Sequence, residues 1–313
     1  MPIIRLYCNI SDWEPDFQQL LQCLCRIQKD EISRLKGILT LNDFKLSVVG
    51  RLLLRKAVSS SLSVGSNCLT FARDSRNKPV LVKPARYEDP IEAVSFNVSH
   101  QGNIAVAVSA IRYQQHRVNG AHYEEVVNSI GVDVVAFNCI KNTRDIVKEL
   151  FVYKPFFNKE EWIKILHSKE PLKYFCRSWS LREAYVKATG SGLGTNLSSL
   201  KFRQLEEAED TDIVCQSTRL VVNSALVDEW VFEQSYLEKN YCVCVAIKNY
   251  KSEFGSDYRQ NRQQNSNTEN ESRREKMFNF QGIEIDSLLA SVTPLREYTE
   301  DQEEVFQLLK LFF

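Results

Sequence analysis

The sequence predicts an α+β protein built in two similar halves, and three observations carry the prediction. At 313 residues the chain exceeds one average domain. Apolar residues recur at period two and at period 3.6 in the order strand, helices, strands, and that order is met twice, over 1–120 and over 121–250. The stretch 251–276 then has the polar, Asn-, Gln-, Ser- and Arg-rich composition of a disordered linker, broken only by Phe254 and Tyr258. No direct sequence repeat accompanies the two halves. A tail, 277–313, ends in Phe306-Gln307-Leu308-Leu309-Lys310-Leu311-Phe312-Phe313, whose apolar side chains suit docking on the body or on a partner.

Composition narrows the function. Forty basic and forty acidic side chains cancel, so no global field draws the chain to nucleic acid or to an anionic membrane, and an anionic ligand needs a local cluster. The first residues lack the pattern of a signal peptide and no later stretch is apolar enough to span a bilayer, which makes the cytoplasm the expected location. Nine cysteines, an odd count without a secretory signal, are expected as reduced thiols, and neither Cys23/Cys25 nor Cys242/Cys244 has the spacing of a zinc knuckle.

In chain order, Ile3–Cys8 reads as a strand and Ser11-Asp12-Trp13-Glu14 as a capping box opening the first helix. A short helix around Asp30–Ile38 carries Arg34. A long one from Asn42 to about Leu62 carries Arg51 and Arg55 one turn apart. The loop Arg73-Asp74-Ser75-Arg76-Asn77-Lys78 is basic, with Asn77 where a tight turn wants a left-handed residue. Phe96-Asn97-Val98-Ser99-His100 and Ile104–Val108 flank Gln101-Gly102-Asn103 as a hairpin. A polar connector with His116 and His122 leads to the buried strand Ile130–Val135, whose alternation sets Gly131, Asp133 and Val135 on one face. Helices follow at Lys141–Phe151, Asn158–His167 and Leu172–Thr189, then strands near Ser199–Leu205, Thr218–Asn223, Glu229–Ser235 and Tyr241–Lys248.

Chemistry concentrates in two places. Trp179, Glu183 and Lys187 stand four apart, so one helix face presents an indole, a carboxylate and an ammonium; an i,i+4 Glu–Lys pair is also ordinary solvated decoration. A lone carboxylate, Asp133, in a buried strand demands a partner or a metal. The basic loop with Ser99 and His100 gathers three cations, a hydroxyl and an imidazole, which suits a multiply phosphorylated ligand. Gly190-Ser191-Gly192-Leu193-Gly194 follows a helix instead of a strand and reads as a cap and turn, not a nucleotide loop.

Taken together, the pieces Gly50–Lys56, Asn77-Lys78-Pro79, Phe96–Gly102, Gly131-Val132-Asp133 and Phe175–Gly194 resemble, in order and spacing over roughly residues 30–250, the Sfp-type 4'-phosphopantetheinyl transferases. The resemblance implies a pseudo-twofold pair of α+β subdomains, a monomer with the active site in the cleft between them. It implies magnesium-dependent transfer of phosphopantetheine from coenzyme A to a serine of an apo carrier protein, with release of 3',5'-ADP. By position, Arg34 and Arg73, Asp74, Ser75, Arg76, Asn77 and Lys78 are expected to hold the adenosine and its 3'-phosphate, and Asn97, Val98, Ser99 and His100 the nucleotide and pyrophosphate. Asp133 and Glu183 are the expected metal ligands, Lys187 the phosphate contact and Glu183 the base, and Glu183, Asp133, Lys187 and His100 together are the expected catalytic set. The expected partners are the carrier domain of fatty acid synthase, a mitochondrial acyl carrier protein and an aminoadipate-type reductase.

Two positions depart from the family pattern. Val135 stands where bacterial members often place a third acid, and Arg182 stands where a lysine usually precedes the glutamate. The alternative from another class is a catalytically silent scaffold that binds coenzyme A or a carrier domain.

Overall fold

A computed structural model describes residues 3–83, 94–118, 121–140, 146–203, 214–249, 279–297, 307–310 and 312. The linker expected at 251–276 lies outside the described residues. The chain divides into two compact units, Ile4–Ala110 with Phe280–Phe313, and Ile111–Asn279 with Met1–Ile3. Each mixes helices and strands.

The first unit runs β1 (Ile4–Asn9), α1 (Phe17–Leu24), α2 (Lys29–Ser33), α3 (Leu41–Leu62), β2 (Thr70–Arg73), β3 (Pro79–Lys83), β4 (Val94–Gln101) and β5 (Ile104–Ile111). α1 begins later than the sequence suggests. The Ser11 amide and hydroxyl both donate to Asn9 Oδ1, at 3.0 and 2.9 Å, and Pro15 disfavours helical backbone at Glu14. Asp16 caps the helix instead, accepting from the Gln19 amide at 2.7 Å while the Gln19 side chain accepts from the Asp16 amide at 2.9 Å. α2 likewise stops at Ser33, with Arg34 as its C-cap.

α3 is buried nearly all round, with Phe44, Val48, Val49, Leu52, Leu53 and Ala57 fully covered and even Lys45 and Arg55 buried, so it is held by packing on several sides. Its backbone rides close to β4, since a Cβ on Gly50 would stand 3.3 Å from Val98 Cγ2 and 3.9 Å from His100 Cδ2.

The second unit opens with β6 (Tyr113–Val118) and β7 (Ala121–Ala136), antiparallel strands where the sequence suggested a polar connector. Tyr-Gln-Gln-His-Arg has no apolar alternation, and the backbone ladder forms without it. α4 (Ile146–Leu150) falls within the helix expected at Lys141–Phe151 and gives way to a 3-10 turn at Phe151–Phe156; residues 141–145 lie outside the described set. α5 (Lys159–His167) is capped by Asn158, and α6 (Pro171–Thr189) ends on Gly190 at φ 66°. β8 (Lys201–Arg203), β9 (Arg219–Val222), β10 (Ala225–Val227), β11 (Trp230–Leu237) and β12 (Tyr241–Asn249) complete it. The main sheet has the order β11-β12-β7-β6, and α6 lies against β7 and β12.

Returning to the first unit, β13 (Gln281–Gly282) pairs parallel to β1, giving the order β13-β1-β5-β4, and α7 (Ile285–Ser291) packs on α3. The tail therefore docks on the body. Leu288, Leu308 and Leu309 are buried in the same core as Phe44 and Leu52, and the Phe312 ring lies 4.7 Å from that of Phe44. Arg296 donates to Leu24 O and Ile27 O at 2.8 and 2.9 Å.

Candidate active site

The site in the second unit starts from a glycine. A Cβ on Gly131 would lie 2.2 Å from Ala184 O and 2.4 Å from Ala188 N, so β7 touches the backbone of α6 and only a residue without a side chain fits. Two residues on, the alternation sends Asp133 to the same face. There it meets Lys187, whose Nζ donates to Asp133 Oδ1 at 2.6 Å. Asp133 is buried, while Lys187 keeps 29% of its side chain exposed.

Glu183, one turn before Lys187, is half-buried. Burial, then the charge of Asp133, pushes its carboxyl above the ordinary range, and Lys187 partly offsets this. Two carboxylates thus share one locality with one ammonium, a donor set of hard oxygens that invites a divalent cation. Val135 is buried among Phe175, Cys176 and Trp162, so the third-acid position belongs to the core. Among the described residues no group of three or more His, Cys, Asp or Glu could hold a metal.

Arg182 points away from this site. It is completely buried, donates to Glu161 Oε2, and also donates to Ser178 O at 3.0 Å and Phe156 O at 3.2 Å, with its guanidinium 4.3 Å from the Phe157 ring centroid. Glu161 in turn accepts from the Phe202 amide. The arginine's work is to pin α6 to α5 and β8. Arg182→Met is expected to destabilise the protein by about 3–5 kcal/mol, because Glu161 is left as an uncompensated buried charge, and urea unfolding measures it.

The remaining predicted residues lie in the first unit. Asn77 has φ 64°, the left-handed conformation expected of the turn between β2 and β3. Asp74 builds that turn, its Oδ1 accepting from the Arg76 and Lys78 amides at 2.9 and 2.8 Å. Arg73 donates to Asn77 O at 2.8 Å. Ser75, Arg76 and Asn77 are exposed.

The turn brings Arg73 near Arg34 and near Arg51, a residue of the Gly50–Lys56 piece with no ligand role expected from the sequence. Burial is the main cause lowering the Arg73 and Arg51 pKa values. Arg34 lowers both further, and the Arg73 charge also acts on Arg51. Glu31 balances part of this, 3.7 Å from Arg51 Nε and 3.9 Å from Arg55 Nη2. The three guanidiniums gather positive charge in one locality, the character a site for an anionic group requires. A signal for Arg51 was present, since Gly50 beside it is the glycine that lets α3 approach β4.

On β4 the pleat separates the expected contact set. Val98 and His100 lie on the Gly50 side, with His100 exposed, and the alternating residues Asn97 and Ser99 are buried.

Two family models match the chain, one described as 4'-phosphopantetheinyl transferase, N-terminal, over residues 11–112, and one as 4'-phosphopantetheinyl transferase superfamily, over 129–246. The chain belongs to that superfamily and is a phosphopantetheinyl transferase. It is 29% identical over 249 residues to the L-aminoadipate-semialdehyde dehydrogenase-phosphopantetheinyl transferase of Homo sapiens, covering 78% of this chain and 74% of that one. It is 24% identical to a phosphopantetheinyl transferase of Thraustochytrium sp., covering 78% of each, and 31% identical to 4'-phosphopantetheinyl transferase 1 of Fusarium mangiferae, covering 60% and 65%. Among solved structures, the holo-acyl-carrier-protein synthase of Helicobacter pylori in complex with coenzyme A is 18% identical, covers 35% of this chain and 98% of that chain, and has a TM-score of 0.29.

Proposed function

We propose that the chain transfers the 4'-phosphopantetheine arm of coenzyme A to a serine of apo acyl or peptidyl carrier domains, with magnesium, and releases 3',5'-ADP. The observation that carries this reading is the Asp133–Lys187 contact beside the raised Glu183 carboxyl, held by the glycine contact between β7 and α6. Asp133 and Glu183 would hold the metal, which would supply positive charge against the pyrophosphate oxygens. With only two protein carboxylates, water and substrate oxygens complete a magnesium shell, the usual habit of that ion.

Lys187 faces the phosphates and neutralises charge on them. Glu183 takes the proton of the carrier serine as its oxygen attacks the phosphorus bearing the pantetheine arm, and a carboxyl raised by burial and by Asp133 suits that role. The phosphoryl-transfer step needs positioning and charge neutralisation more than covalent help. His100, Asn97 and Ser99 would orient the nucleotide and pyrophosphate, in a cleft of the pseudo-twofold arrangement that the family resemblance implies. The carrier domains of fatty acid synthase, a mitochondrial acyl carrier protein and an aminoadipate-type reductase are the proposed substrates of a cytoplasmic monomer.

Intact mass of an apo carrier domain incubated with the protein, coenzyme A and magnesium tests the reading. The expected result is a gain of one phosphopantetheine that EDTA abolishes; coenzyme A binding without any covalent gain on several carriers would return the scaffold alternative.

The arginine set has its own test. If Arg34, Arg51 and Arg73 hold the 3'-phosphate, Arg73→Ala and Arg51→Ala each weaken coenzyme A by about 1.5–3 kcal/mol, roughly ten- to a hundredfold. Neither changes the affinity for dephospho-coenzyme A, which lacks that phosphate. Equal losses for both ligands would place the arginines elsewhere.

A further inference from the structure

The thiols of Cys139 and Cys176 lie 3.8 Å apart within the second unit. Cys139 follows β7 in a turn closed by its own amide donating to Ala136 O at 3.1 Å, and it is exposed, whereas Cys176 on α6 is fully buried. All nine cysteines are free, and these two form a pair in which one residue reaches the surface while the other is fully buried.

We propose that Cys139 and Cys176 are an oxidant-sensitive dithiol that closes to a reversible disulfide when a hydroperoxide reaches Cys139. The Cys139 sulfur attacks the peroxide, forming an S–O bond as the O–O bond breaks, and hydrogen peroxide leaves one oxygen on sulfur and the other as water. Cys176 then attacks the resulting sulfenic acid; the S–S bond forms, the S–O bond breaks, and a second water carries away the hydroxyl and the Cys176 proton. Two thiols lose two electrons and one peroxide gains them.

The division of roles follows from the surroundings. The contact with the Cys176 sulfur chiefly, helped by backbone amides of Cys139 and Ile140, holds the Cys139 thiol below its usual range against the effect of burial. The Cys176 thiol is pushed up by the same contact and by burial, so it stays protonated until a sulfenic acid is in reach. Closing from 3.8 Å to the length of about 2.05 Å in a disulfide asks for a movement of the Cys139 turn, not of the helix. Cys68, the other exposed cysteine, supplies an internal control, since the contact its sulfur makes is with the Asn67 amide oxygen at 3.9 Å. The bond would join the turn that follows the strand carrying Asp133 to the helix that carries Glu183.

The experiment uses the reduced full-length protein, treated with one equivalent of hydrogen peroxide, alkylated, digested and mapped by mass spectrometry without reductant. The expected product is a Cys139–Cys176 linked peptide that dithiothreitol reverses. Cys139→Ser removes it without changing alkylation of Cys68, and in Cys176→Ser the oxidation of Cys139 stops at a dimedone-trappable sulfenic acid. Accumulation of Cys139 sulfinic acid with Cys176 still reduced, or a link through Cys242 or Cys68 in place of Cys176, would overturn the proposal.

Discussion

Glu183→Gln is expected to lower phosphopantetheine transfer by at least about 10²–10⁴-fold, the range for losing a general base, while the fold is kept. The side chain keeps its size and its place on α6 but loses the proton acceptor and one of the two proposed metal charges. Because burial and the neighbouring Asp133 already disfavour the Glu183 charge, removing it relieves repulsion. The variant is therefore expected to melt no lower than the parent. Carrier mass gain over time and a thermal melt are measured on the same preparation. Near-parental turnover would sink the assignment of Glu183 as base; a large fall in melting temperature would mean that the lost activity reports folding.

Gly131→Ala should do the opposite, removing activity by way of structure. Its new methyl would meet Ala184 O at 2.2 Å and Ala188 N at 2.4 Å, both backbone atoms of the buried last turns of α6, which cannot swing aside as a side chain can. Either β7 or α6 must shift, at about 3 kcal/mol or more, the upper part of the range for overpacking. At roughly 2–4 °C per kcal/mol for a body of this size, the melting temperature falls by about 6–12 °C or more. Movement of α6 from β7 also lengthens the Lys187–Asp133 contact, so transfer falls even below the melt. Gly50 offers the comparison. There the nearest obstacle is Val98 Cγ2 at 3.3 Å, a side-chain methyl able to give, and Gly50→Ala is expected to be far milder. Equal melting temperatures for parent and Gly131→Ala would show that the two elements are less tightly seated than described.

What was legible in the sequence was what local pattern dictates. The face carrying Gly131, Asp133 and Val135 followed from strand alternation, the stop of α6 from Gly190, and the left-handed turn from Asn77, and the structure has each of them. Asp133, Glu183 and Lys187 could be singled out because a buried acid and an i,i+4 pair are each visible in one dimension. Side-chain direction was not. Arg182 is adjacent to Glu183, yet one residue of helix turns it by about 100°, into the buried pair with Glu161. Arg51 was passed over for a related reason: its partners Arg34 and Arg73 lie on separate elements, and only the packing of α2, α3 and β2 makes them a cluster. β6 escaped because polar residues can form a ladder from backbone alone, and the start of α1 because Asn9 competes for the Ser11 hydroxyl.

The composition of the first unit has a consequence for how the chain is made. Its core needs Leu288, Leu308 and Leu309, and Phe44 rests against Phe312, although everything else in that unit is complete by residue 110. At about 5–20 residues per second the ribosome takes roughly 10–40 s to cover the distance. During that interval Ile111–Asn249 emerges whole and is free to fold first, while the earlier-made unit waits with an open core and an uncovered β1 edge. For this protein, order of synthesis and order of completion are reversed, and a chaperone acting on the nascent chain would find its substrate at the beginning of the sequence, not at the end.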